Sequence, residues 1–168
     1  MEHDNPMYRV YLRHAYEIAV GESEDPNTQV GVVLVDDEMG IVSTGANQLC
    51  MRINKTPDKL KYPNKTIYME HAERNALFLS ARRGAGTKEL TMYCPWATCV
   101  ECAKAIIQCG IKKVVRHQEM YEHTPDRWKE SVDRGWELLQ ESGIETVSWS
   151  GKIGNGVAIM FNGNEFYP

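Results

Sequence analysis

Two short runs, His71-Ala72-Glu73 and Cys99-Val100-Glu101-Cys102, restrict the folds open to this chain more than any other feature. One imidazole and two thiols are a zinc-type donor set, and three protein ligands leave a fourth tetrahedral position for water. The runs are well separated in sequence, so a fold that uses them must bring two chain segments to one point. Cys99 and Cys102 stand at i and i+3, which puts both sulfurs on one face of a helix start. Free N–H groups and the positive dipole end there favour thiolates. Glu73 follows the candidate ligand by two positions, where a carboxylate can move protons for the water.

Composition narrows the class. The 168 residues give the length of one domain with a full core, and residues 1–168 are read as such a domain. No apolar run approaches the roughly 20 residues of a membrane span, so no membrane association is expected. Residues 1–10 are polar and lack a signal-peptide core, so a cytoplasmic, reducing location is the expectation. The five cysteines are an odd number, which argues against a disulfide framework. Net charge is −4 at pH 7, the wrong sign for a protein that grips a nucleic-acid polymer.

Hydrophobic patterning orders the rest of the chain. Residues 7–20 repeat apolar side chains at helical spacing. Residues 29–35 are continuously apolar and β-branched, which reads as a central strand, with residues 41–45 returning beside it. Residues 48–70 form a basic insertion holding Arg52, Lys55, Lys59, Lys61 and Lys65 against Asp58 and Glu70. Pro57 and Pro63 interrupt it, so it reads as a long loop with at most a short helix, the kind that borders a site. Helices follow at 71–83 and 99–109, the second ended by Gly110, with strands at 90–93 and 113–116. Thr124 as N-cap and Pro125 at the first position start a helix that runs to Gly143, and a strand at 144–149 follows. Residues 151–168 form an extension of unassigned role, with a strand or hairpin expected around Asn162-Gly163. The order α-β-β-loop-α-β-α-β-α-β predicts a layered α/β fold with a mixed sheet.

The residues leave one alternative to a catalytic site. A purely structural zinc would need a fourth ligand, for which Cys94, Cys109 and His117 are the candidates. Cys109 and Cys50 read better as small packed hydrophobes, whereas Cys94 ends the strand that leads into the site.

The order His-x-Glu, then Cys-x-x-Cys, is the zinc deaminase signature, except that Thr98 stands where the signature has proline. Across most of its length the chain resembles the deoxycytidylate (dCMP) deaminase family of the cytidine-deaminase-like superfamily. The resemblance is carried by Asp25-Pro26-Asn27-Thr28-Gln29-Val30-Gly31, Ile41-Val42-Ser43-Thr44-Gly45-Ala46-Asn47, Glu70-His71-Ala72-Glu73-Arg74-Asn75-Ala76 and Cys102-Ala103-Lys104-Ala105-Ile106-Ile107. It implies a three-layer α-β-α fold with a central mixed five-stranded sheet. It also implies zinc on His71, Cys99 and Cys102, with Glu73 as proton shuttle, and hydrolysis of dCMP to dUMP and ammonia. Asn47 would bind the sugar, the Ala72 N–H the base carbonyl, and Trp96 and Tyr121 would wall the base. The Thr98 carbonyl would receive the leaving amine, and Ser23 and Asn27 would gather the 5′-phosphate. Arg52 or Lys55 would add charge there, and Gly45 and Gln48 lie where family members bind dCTP or dTTP with Mg²⁺. A homohexamer is implied as well. Alternatives are another cytosine nucleotide or nucleoside as substrate, or a non-catalytic zinc protein that binds nucleotides.

Overall fold

In the computed structural model, residues 5–154 and 156–168 are described. A five-stranded sheet forms the centre, in the order β2-β1-β5-β6-β7. Its strands are β1 (Gly31–Asp36), β2 (Gly40–Ala46), β5 (Thr91–Tyr93), β6 (Lys113–His117) and β7 (Glu145–Trp149). The β1 strand runs antiparallel to both β2 and β5, while β5, β6 and β7 are mutually parallel. The sheet is therefore mixed.

The unbroken apolar run in β1 is explained by helices on both faces. Val33 and Val35 turn to the side of helix α1 (Pro6–Glu22), where Leu12, Ala15, Tyr16 and Ala19 meet them with Tyr93, Val115 and Val147. Val32 and Leu34 turn to the opposite side. There they join Met92 and Val114 beneath α3 (Ala72–Arg82), α4 (Val100–Gln108) and α6 (Asp126–Glu141). Three layers result, as the resemblance implies. Gly45 of β2 lets α3 approach, because a Cβ there would stand 2.3 Å from the Ala72 carbonyl oxygen.

Several local expectations change. The 48–70 insertion is partly ordered: β3 (Gln48–Leu49) pairs antiparallel with β4 (Met69–Glu70), and α2 (Lys65–Tyr68) precedes β4. A short α5 (Gln118–Glu122), unanticipated from the sequence, follows β6. Thr124 does not cap α6, whose N-cap is Pro125. Its hydroxyl instead donates to the Tyr121 carbonyl and accepts from Trp96 Nε1. Cys50 is exposed rather than packed. The tail forms the expected hairpin, β8 (Ile159–Phe161) and β9 (Asn164–Phe166), turning at Asn162-Gly163. Among the described residues no helix is long and apolar enough to cross a membrane.

Candidate active site

The start of α3 and the start of α4 converge at the carboxyl end of β5. His71 is the N-cap of α3 and Cys99 the N-cap of α4, so both stand where helix N–H groups lack intrahelical partners. Cys102 follows in the first turn of α4. His71 Nδ1 lies 3.6 Å from Cys99 Sγ and 3.5 Å from Cys102 Sγ. Tetrahedral zinc, at about 2.3 Å from sulfur and 2.0–2.1 Å from nitrogen, requires S···N edges of about 3.6 Å. The donor set therefore fits zinc. Among the described residues this trio is the only group of its kind, and none of Cys94, Cys109 and His117 belongs to it.

The electrostatics suit a metal. Cys99 is pulled down to about 4, first by its hydrogen bond with Cys102, while burial opposes this and His71 reinforces it. Cys102, the other half of that shared hydrogen bond, is pushed up. Arg74 Nη1 lies 3.7 Å from the Cys102 sulfur, and its Nε donates to Glu70 Oε1 at 2.6 Å. Arg74, itself paired with Glu70, thus holds N–H donors against the Cys102 sulfur. Burial would lower the His71 imidazole, but its hydrogen bond with Cys99 and the Glu73 charge outweigh that and raise it. Glu73 is only 4% exposed. Burial lifts its carboxyl above the ordinary range, against the pull of His71. Cys94 is also buried, and its thiol is pushed well up, so it stays a neutral neighbour.

A cavity of about 800 Å³ opens in front of the trio. His71, Ala72, Glu73 and Cys99 line its inner end, with Asn47, Trp96 and Asn27 among its walls. Ala72 opens α3, so its N–H is one of the first-turn donors that the helix leaves free. Asn47 Oδ1 accepts from Val30 N and Ser23 Oγ, and one N–H of its amide goes to Thr28 O. The same amide nitrogen also contacts Met69 Sδ at 3.8 Å, and Asn47 lines the cavity. Trp96 and Trp128 meet edge to face with centroids 6.1 Å apart, and Trp128 in turn packs on the His71 ring.

Other expected residues lie elsewhere. Thr98 is fully buried, and its carbonyl oxygen faces Gly135 of α6 rather than the cavity. Ala97 is the residue of that loop that lines the wall. Tyr121 turns away to donate to Asp133 and to stack on Arg116, whose guanidinium is 3.7 Å from its ring. Ser23, Gln48, Arg52 and Lys55 do not line the cavity. Ser23 braces Asn47, Gln48 donates to the Glu22 carbonyl, and Lys55 pairs with Glu24. Arg52 is exposed at a positive φ of 64°, and Gly45 is buried under α3. Residues given no site role from the sequence line it instead: Tyr62, Lys65, Thr66, Arg127, Trp128 and Asn162. Arg74 carried a usable signal, standing at i+4 from Glu70 and i+3 from His71. Arg127 and Asn162 carried none, because only the packing of the tail brings them to the cavity.

A zinc-fitting trio with a buried carboxylate between two helix starts, on a three-layer mixed sheet, defines the zinc deaminase class. Residues 6–118 match the model of the cytidine and deoxycytidylate deaminase zinc-binding region. The chain belongs to that family. It is 32% identical over 133 residues to an uncharacterized deaminase of Aliivibrio fischeri, covering 79% of this chain and 86% of that one. It is 34% identical over 111 residues to the human deoxycytidylate deaminase, covering 62% of this chain and 61% of that one. The chain thus spans about three fifths of the length of that curated relative. The fold is shared with the dCMP deaminase of cyanophage S-TIM5, solved in complex with dCMP and dUMP. That likeness has a TM-score of 0.68 at 23% identity, over 86% of this chain and 98% of the other.

Proposed function

We propose that the chain hydrolyses dCMP to dUMP and ammonia. The observation that carries this reading is Glu73, buried yet lining the cavity beside the His71, Cys99 and Cys102 trio. A structural metal has no use for a buried carboxylate at its side, and burying a carboxylate is costly, so its presence there supports a role in the chemistry. The deoxycytidylate deaminases among the relatives supply the substrate class.

His71, Cys99 and Cys102 hold zinc in this reading. Bound zinc makes a water nucleophilic near neutral pH. Glu73 receives a proton from the water that attacks C4 of the cytosine and passes it to N3. It then delivers the second water proton to the departing N4 amine. The oxygen remains on C4, so uracil and ammonia balance the atoms. A carboxyl lifted by burial holds a proton more readily than an exposed one, which suits both transfers. Trp96 and Trp128 wall the base, the Ala72 N–H meets its carbonyl, and the Asn47 amide meets the sugar. The Ala97 segment, not Thr98, borders the departing amine.

The same reading includes a homohexamer, regulation by dCTP and dTTP with Mg²⁺, and a cytoplasmic location. Association is supported by Phe78 on α3 and Ile41 on the edge strand β2, which are 50% and 46% exposed. For an effector contact, the burial of Gly45 leaves Gln48 and Arg52. A reducing compartment suits five free cysteines.

The test is ammonia release from dCMP, deoxycytidine and dCTP in parallel, on protein with its zinc content measured. Turnover confined to dCMP supports the reading. Zinc-loaded protein inert on all three overturns it.

A further inference from the structure

Besides the residues of the zinc trio, the cavity lining holds a polar set: Asp25, Tyr62, Lys65, Arg127 and Asn162. Its two cations differ. Lys65 Nζ lies 2.6 Å from Asp25 Oδ2, so that pair is already neutral. Arg127 makes no ion pair with a carboxylate among the described residues, and its Nη2 donates to the Asn162 side-chain oxygen at 2.7 Å. An amide fixes the guanidinium without cancelling its charge. The remaining N–H groups of the fork match the oxygens of a phosphate.

Asn162 is held firmly enough to do this. It occupies the hairpin turn with φ 51°, and its backbone N–H points to Thr28 Oγ1. On either side, Met160 N donates to Gln29 Oε1, Gln29 N to Met160 O, and Gly163 N to Asn27 O. The hairpin is thus stitched to the chain segment that also lines the cavity. Arg127 is next to Trp128, which packs on His71, so α6 links this polar set to the zinc trio.

We propose that Arg127, oriented by Asn162 of the C-terminal hairpin, binds the 5′-phosphate of the nucleotide in the cavity. This rests on the deaminase reading for the nucleotide itself. It assigns the extension at residues 151–168 to the substrate site, and it puts the phosphate charge on Arg127 instead of Arg52 or Lys55. Arg127 becomes a specificity-determining contact for a phosphate monoester, and Asn162 a positioning residue.

Calorimetry with the zinc-loaded protein, using dUMP and deoxyuridine as the two probes, tests this without turnover. Wild type is expected to bind dUMP more tightly than deoxyuridine. Arg127→Ala is expected to weaken dUMP by about 10- to 100-fold, the range of a charge-assisted contact, with deoxyuridine unchanged. Asn162→Gly tolerates the positive φ and removes the amide, so it should weaken dUMP less. In the Arg127→Ala background it should add nothing. Arg134→Ala, which removes an exposed charge from the same helix, should leave dUMP binding unchanged. Unaltered dUMP affinity in Arg127→Ala, or no dUMP preference in wild type, overturns the proposal. Arg127-dependent dUMP binding without ammonia release from dCMP keeps the phosphate site and removes the deaminase reading.

Discussion

The carbonyl oxygen of Thr98 lies so close to Gly135 that a Cβ on Gly135 would stand 2.3 Å from it, and 3.0 Å from the Cys99 carbonyl carbon. Both neighbours are backbone, so neither can swing aside. The α6 helix therefore presses on the loop that presents Cys99, and only glycine allows that approach. Gly135→Ala should push α6 and the Cys99 loop apart. Overpacking of this kind costs about 1–3 kcal/mol. Denaturant melts should show that loss, and a chelator titration should show weakened zinc. Unchanged values in both would mean that the contact does not position the loop.

That contact also shows where sequence reading stops. The zinc trio and Glu73 were legible because their chemistry is written in short local spacings. The strands were legible because the β1 side chains alternate between two covered faces. The place of the Thr98 carbonyl was not legible, because its direction depends on what packs behind it, here Gly135. Tyr121 and Lys55 lie off the cavity for a related reason. Each found a partner, Asp133 and Glu24, that no spacing links to it. The tail kept its hairpin from the Asn162-Gly163 turn, but its place against Gln29 spans more than a hundred residues of chain.

Glu73 separates chemistry from architecture. Glu73→Ala should keep zinc and the cooperative melt while losing turnover by at least the 10²–10⁴ typical of acid–base groups, measured as ammonia release. Its removal from a buried site relieves a desolvated carboxyl, so stability should hold or rise. Wild-type turnover in this variant would remove Glu73 from the proton path.

The ligands and their support should grade in metal affinity. Cys99→Ser and Cys102→Ser each remove a thiolate and should release zinc, with a fall in stability because metal binding is coupled to folding. Arg74→Ala should keep zinc but weaken it about 10- to 100-fold, since Arg74 touches the Cys102 sulfur while anchored on Glu70. Competition against a chromophoric chelator reads all three. Full zinc affinity in Arg74→Ala would confine it to the Glu70 pair.

His117 should give the fold an acid-sensitive side. It lies 1% exposed, with its ring on the α1 face of the sheet against Tyr16. Nδ1 meets the Tyr16 hydroxyl at 2.7 Å, and Nε2 lies 2.8 Å from the Gly151 carbonyl and 2.9 Å from Glu119 Oε2. Burial holds Tyr16 as an un-ionised phenol, so it offers the ring no charge that would favour imidazolium. Burial also lowers the imidazole below its ordinary 6.5, against the Gly151 contact and the Glu119 charge. The unfolded chain then binds a proton that the folded chain refuses. Stability is therefore greatest above pH 6.5 and falls as pH drops from there toward the folded value, by at most about 1.4 kcal/mol per pH unit for one group. Denaturant midpoints between pH 5 and 8 should slope upward in wild type and flatten in His117→Gln. Equal slopes in the two proteins would show that His117 takes up its proton in the folded state as readily as in the unfolded one.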